Sequence, residues 1–349
     1  MEKRIENIDI AKGIGIILMV IGHACYPHIY IFNCIYIFHM PLFFFLSGFL
    51  FKESSTHKPI SYIYKKIKSL YFPYIKWGII FLLLHNIFCT YHILKEPIYQ
   101  PIDYLNALIE LLKMQKSGIL LGAFWFLKEL LCVSTLTIII FFIIYHFKFS
   151  KQIVTFIIPI SLLIAVFMSI GNIHLLTISH RTFLGMSFFI SGYLYYKKNI
   201  QINIISFVIF SLIILGGAYL HPTHIASNRF DIILAYVLAI IGIFAILYIA
   251  TYIEKTHKLK IFLIYTGQNT ISIMALHFLS FKIISLLKIA FYNLKIEKLG
   301  DWPIIKECND VYWILYSIAG VFIPLLYTFL LSNLKKQYEN YSRCWRTNL

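Results

Sequence analysis

Along the chain, nearly unbroken apolar stretches of 16 to 28 residues alternate with short polar ones. A helix rises about 1.5 Å per residue, so about 20 apolar residues cross a hydrocarbon layer of about 30 Å. The pattern predicts helices over residues 8–26, 35–52, 72–94, 120–147, 151–170, 181–196, 200–220, 231–251, 266–290 and 312–333. Barrel strands would instead alternate apolar and polar positions over about ten residues. The sixth run is short for a crossing, and the fourth is long enough to tilt or protrude. The expected fold is an all-α integral membrane protein with about ten transmembrane helices. No internal repeat breaks it up, and residues 1–349 read as a single membrane domain.

Composition agrees with a bilayer as solvent. The chain is 60% hydrophobic and only 13% charged, where a soluble globule carries about a quarter charged residues. Its net charge of +16 could suggest nucleic acid, but the cations sit in short loops beside apolar runs, which is an orientation signal. No nucleic-acid partner is expected. Segments on the amino-terminal side of the ten crossings hold 18 Lys and Arg, and the opposite segments hold 9. Four more lysines (Lys12, Lys76, Lys128, Lys282) lie within helices. The excess places both termini in the cytoplasm. The six cysteines are scattered, without CxxC or metal-ligand spacing, so neither a disulfide framework nor a metal is expected. The first apolar run reads as an uncleaved helix, because more apolar segments follow it at once.

Two outer segments are long. Residues 95–119 mix Leu105, Leu108, Ile109, Leu111 and Leu112 with Asp103, Glu110 and Lys113, as an amphipathic surface helix would. Residues 291–311 contain Gly300, Trp302 and Pro303 and read as an irregular loop with an interfacial anchor. Either segment shapes a substrate groove or merely connects helices.

Ionisable residues inside lipid are expensive and mark function. On helix 1, Lys12 and His23 are eleven residues apart, which returns to one helix face within about 20° and separates them by about 16 Å. One face thus offers a cation near the inner end and a proton acceptor further out. Alternatively Lys12 snorkels to lipid phosphates and His23 hydrogen-bonds a neighbouring helix. Helix 2 brings His39 to a similar depth, and its Ser47-Gly48 pair permits close packing. Helix 4 adds Trp125 and Glu129, a carboxylate that either orients a histidine or pairs with Lys128. Helix 9 carries Asn269 near the inner side and His277 deeper. His23, His39, Glu129 and His277 are therefore expected to converge. The inner loop holds the basic cluster Lys65, Lys66 and Lys68, which binds either anionic lipid or a phosphorylated ligand together with Lys12.

Asp9…Lys12-Gly13-Ile14-Gly15…Gly22-His23, His39-Met40-Pro41-Leu42-Phe43-Phe44…Ser47-Gly48-Phe49, Trp125-Phe126-Leu127 and Gly267-Gln268-Asn269-Thr270…His277 together resemble the acyltransferase-3 family of bacterial membrane O-acyltransferases. The resemblance is closest to the fucose 4-O-acetylase type and covers essentially the whole chain. It implies ten helices in the inner membrane, cytoplasmic acetyl-CoA as acyl donor, and transfer to a glycan hydroxyl at the outer side. His23 is then expected to deprotonate the acceptor hydroxyl or to carry the acetyl group transiently, supported by Glu129 and His39. Lys12, Lys65, Lys66 and Lys68 are expected to hold the donor, and Ser47, Trp125, Asn269 and His277 to shape the site. Many members carry arginine where this chain has Lys12, which keeps the charge and loses the bidentate fork. The fused esterase-like domain of some members is not matched. The rival reading is a transporter or flippase of a glycan precursor with a His/Glu proton relay. It predicts an inverted repeat, which the hydropathy does not display. No sequence feature indicates an oligomeric state.

Overall fold

A computed structural model describes residues 5–25, 28–150, 152–173, 177–220, 232–308 and 311–347, with side chains as far as residue 339. Of the basic residues counted for topology, Lys3, Arg4, Lys151 and Arg229 lie outside the described residues, as do the side chains of Arg343 and Arg346. The described residues are almost entirely helical. The first helices are α1 (Glu6–Ala24), α2 (Ile29–Tyr36), α3 (His39–Phe49), α4 (Pro59–Lys66), α5 (Phe72–Leu83), α6 (His85–Thr90) and α7 (Pro101–Leu112). They are followed by α8 (Trp125–His146), α9 (Ile153–Ile170), α10 (His180–Lys198), α11 (Ile204–Leu220) and α12 (Ile232–Ile253). The last are α13 (His257–Gln268), α14 (Thr270–Tyr292) and α15 (Tyr312–Thr347).

Seven stretches are long and apolar enough to cross a membrane: Glu6–Ala24, Ile29–Phe49, Ile119–His146, Ile153–Ile170, Ile232–Ile253, Thr270–Tyr292 and Tyr312–Glu339. The three other runs expected to cross are also helical. Ile204–Leu220 is apolar but short. The run over 72–94 divides at Leu84 into α5 and α6, and α10 is diluted by Ser, Gly, Tyr and Lys. The run over 266–290 divides as well, at Asn269, whose φ/ψ of −109°/21° separates α13 from α14. Both α10 and α14 end on an asparagine in left-handed conformation, Asn199 (φ 46°) and Asn293 (φ 51°), a stop that Asn tolerates better than most residues. The Asn293 stop ends α14 at Tyr292, two residues past the expected end, and Lys288 lies inside it.

Without a hydrophobic drive between helices in lipid, close approach through small residues sets the packing. A Cβ on Gly13 would meet the Leu263 carbonyl oxygen at 2.3 Å, and one on Gly267 would meet the Asp9 carbonyl oxygen at 2.0 Å. Each glycine faces the residue four before the other, which is a parallel crossing of α1 and α13 centred on Gly13 and Gly267. A similar reciprocal pattern, three residues back instead of four, joins α3 and α10, where Gly48 faces the Phe189 carbonyl and Gly192 the Phe45 carbonyl at 1.8 and 1.9 Å. Helices α2 and α3 run antiparallel to α1, with Gly22 against Tyr36 of α2 and Gly15 against Leu42 and Phe43 of α3. Two registers follow. Lys12 lies level with Ser47, and His23 lies level with Tyr36 and, through α14, with His277.

Candidate functional site

The His23 end of α1 gathers an aromatic and histidine cluster. His277 stacks on His23 with ring centroids 5.4 Å apart and planes 27° from parallel, and Phe278 lies 4.9 Å from His23. The His277 Nδ1 lies 3.0 Å from the carbonyl oxygens of both Ile273 and Met274. A carbonyl only accepts, so Nδ1 carries the proton and Nε2 the lone pair. That Nε2 is buried without a hydrogen-bond partner among the described residues. The Tyr36 hydroxyl is 3.1 Å from His23 Nδ1 and fixes the ring's rotation. His39 is buried one turn away and packs edge-on against Tyr36 at 4.7 Å, its Nδ1 donating to the Ile35 carbonyl at 2.9 Å. Only His23 of the three keeps a partly exposed surface. Three predicted site histidines thus share one end of the bundle.

The Lys12 end gathers cations and hydroxyls. Lys12 pairs with Asp9 at 3.2 Å. Lys66 donates to Ser47 Oγ at 3.0 Å and lies 5.4 Å from the Tyr62 ring. Burial, with the nearby Lys12 charge as a second cause, pushes the Lys66 ammonium down to about 8. The hydroxyls of Tyr62 and Ser134 lie beside each other here, and that of Thr137 is buried with no partner among the described residues. Buried hydroxyls beside two cations suit an anionic ligand. Of the predicted cluster, Lys66 turns into this site, while Lys65 and Lys68 are exposed. Asn269 caps the break between α13 and α14, its Nδ2 donating to the Tyr265 carbonyl at 2.8 Å.

Glu129 is buried as its depth suggested, but it faces α10. It accepts from Thr182 Oγ1 at 2.6 Å and from Ser179 Oγ at 3.4 Å. Trp125, one turn earlier, lies 5.3 Å from the Arg181 guanidinium. Sequence reasoning counted Arg181 only as a loop charge and did not single out Tyr36. Its signal was indirect: Gly22 clears the space that Tyr36 enters. The segment over 95–119 contains the helix α7, which closes a separate cavity of about 60 Å³ lined by His85, Glu96, Tyr99 and Leu111.

The described helices form a bundle with a histidine cluster toward one end of α1 and the Lys12–Lys66 pair toward the other. Residues 5–333 match the acyltransferase domain of the acyltransferase-3 family. The chain belongs to this family and is a multi-pass membrane acyltransferase. No curated protein and no solved structure matches it.

Proposed function

We propose that the chain is an O-acetyltransferase of the bacterial inner membrane, moving an acetyl group from cytoplasmic acetyl-CoA to a hydroxyl of a surface or lipid-linked glycan, in the manner of the fucose 4-O-acetylase type. The observation that carries this reading is the division of one face of α1. Lys12 stands beside Lys66 at one end, and His23 stands against Tyr36 and His277 about 16 Å further along. A donor with a phosphorylated head and a long thin arm fits that offset.

The donor's phosphates dock on Lys12 and Lys66, and the hydroxyls of Tyr62, Ser134 and Thr137 supply hydrogen bonds to phosphate or to the arm's amides. With Nδ1–H donated to the Tyr36 oxygen, His23 Nε2 presents its lone pair to the acceptor hydroxyl. As the proton passes to Nε2, the acceptor oxygen bonds to the thioester carbonyl carbon. The carbon–sulfur bond then breaks, and the leaving CoA thiolate takes the proton from His23. The ester stays on the glycan, and His23 returns to its starting state. Lys65 and Lys68 add a positive field at the donor's entrance. Glu129 acts at a distance by fixing the start of α10. Ser47 and Asn269 shape the donor side, and Trp125 shapes the path between the ends.

The test is acetyl-CoA-dependent labelling of a glycan fraction by correctly inserted protein. Wild type labels the fraction and His23→Ala does not; labelling retained by His23→Ala removes the base assignment.

A further inference from the structure

The end of the bundle that holds the histidines is roofed by residues 296–306, and two lysines hold that roof down. Lys282 and Lys288 are both fully buried in α14. Lys282 donates to the carbonyls of Leu299 and Asp301 at 2.9 and 2.8 Å, and Lys288 donates to that of Ile305 at 2.9 Å. The Asp301 carboxylate is fastened in turn to Lys95, from the other long outer segment. Burying two ammonium groups is expensive, and an interfacial anchor needs no such mounting.

What the mounting fixes is Trp302. Its ring lies 4.0 Å from that of Phe278, which is the ring 4.9 Å from His23. The indole is turned onto the site while remaining 38% exposed. Beside it lies Gly122, also exposed, where a Cβ would sit 3.4 Å from Trp302 Cζ2 and 3.6 Å from Phe278 Cε2. Any side chain larger than a methyl group at that position would cover the aromatic surface; glycine leaves it open.

We propose that Trp302 is the platform on which the acceptor sugar stacks, with Gly122 leaving the opening through which one hydroxyl reaches His23. A pyranose ring presents a face of C–H bonds, and those polarised hydrogens pack on the electron-rich face of an indole. The hydroxyls project from the edge of the stacked ring and stay free for the base. Because the indole is held rigidly one aromatic ring away from His23, it sets which hydroxyl is offered. This inference rests on the glycan-acceptor reading above and adds a specificity-determining residue to it.

The experiment uses the full chain in nanodiscs with acetyl-CoA and a panel of octyl glycosides as acceptors. Trp302→Leu is expected to raise the acceptor KM about tenfold, with the acetyl-CoA KM unchanged. Trp302→Phe, which keeps a ring on Phe278, retains most of the acceptor affinity. Gly122→Leu raises the acceptor KM as Trp302→Leu does, and it decides the matter should Trp302→Leu lose CoA binding through misfolding. An unchanged acceptor KM in Gly122→Leu and in folded Trp302→Leu overturns the platform, as does an equal rise in both substrates' KM. A wild type that binds CoA and acetylates no glycoside overturns the acceptor reading itself, and the platform with it.

Discussion

Lys66 gives the donor site a pH signature. Its ammonium is pushed to about 8 by burial and by Lys12, so it is charged below that pH and neutral above it. The contact with a donor phosphate is nearly complete by about pH 7, half lost at about pH 8, and lost as pH rises further. At pH 9 about one tenth of free Lys66 remains protonated. A charge-assisted hydrogen bond contributes about 1.5–3 kcal/mol, which caps the total loss at roughly tenfold to hundredfold. CoA affinity should therefore fall about four- to eightfold between pH 7.5 and 9. The assay is equilibrium binding of a CoA analogue lacking the thiol, across pH 7.5–9.5. Lys66→Met weakens binding at pH 7.5 and flattens the curve. Lys12→Gln also weakens binding, yet it moves the inflection upward, because it removes a repulsion from Lys66. Most of the depression survives that change, since burial is the larger cause. A flat wild-type curve, or an inflection moved downward in Lys12→Gln, refutes the reasoning.

Two further outcomes follow from the same geometry. Tyr36→Phe frees the His23 ring without touching donor or acceptor, so kcat should fall about five- to tenfold with both KM values unchanged; a change confined to KM contradicts a positioning role. Gly267→Ala places a Cβ 2.0 Å from the Asp9 carbonyl oxygen, forcing α1 and α13 apart at a cost of about 1–3 kcal/mol or more. Thermal unfolding in detergent should show a lowered Tm, while Gly216→Ala, whose Cβ would meet nothing within 4 Å, leaves it unchanged.

The spacing of polar groups along each helix was legible in the sequence, because helical rise is fixed. That reasoning placed Lys12 and His23 on one face of α1 and put His39 at a depth similar to His23. Lateral partners were not legible, since they depend on which helices touch. Glu129 was deep as expected, but its partners Ser179 and Thr182 lie about 50 residues away on α10. The Gly13–Gly267 crossing joins positions far apart in sequence, and neither glycine reveals the other. Lys288 fell inside the run over 266–290, but its partner, the Ile305 carbonyl, was not legible there. Trp302 was read as an anchor by its position, whereas the carbonyl contacts of Lys282 and Lys288 turn it inward.

Transfer across the thickness of the bundle is the central claim, and sidedness tests it most directly. Sealed vesicles of known protein orientation would receive labelled acetyl-CoA on one face and glycan acceptor on the other. The account predicts labelled glycan only when donor is supplied at the face bearing Lys12 and Lys66 and acceptor at the face bearing His23 and Trp302. Efficient labelling with both substrates confined to either single face would contradict it.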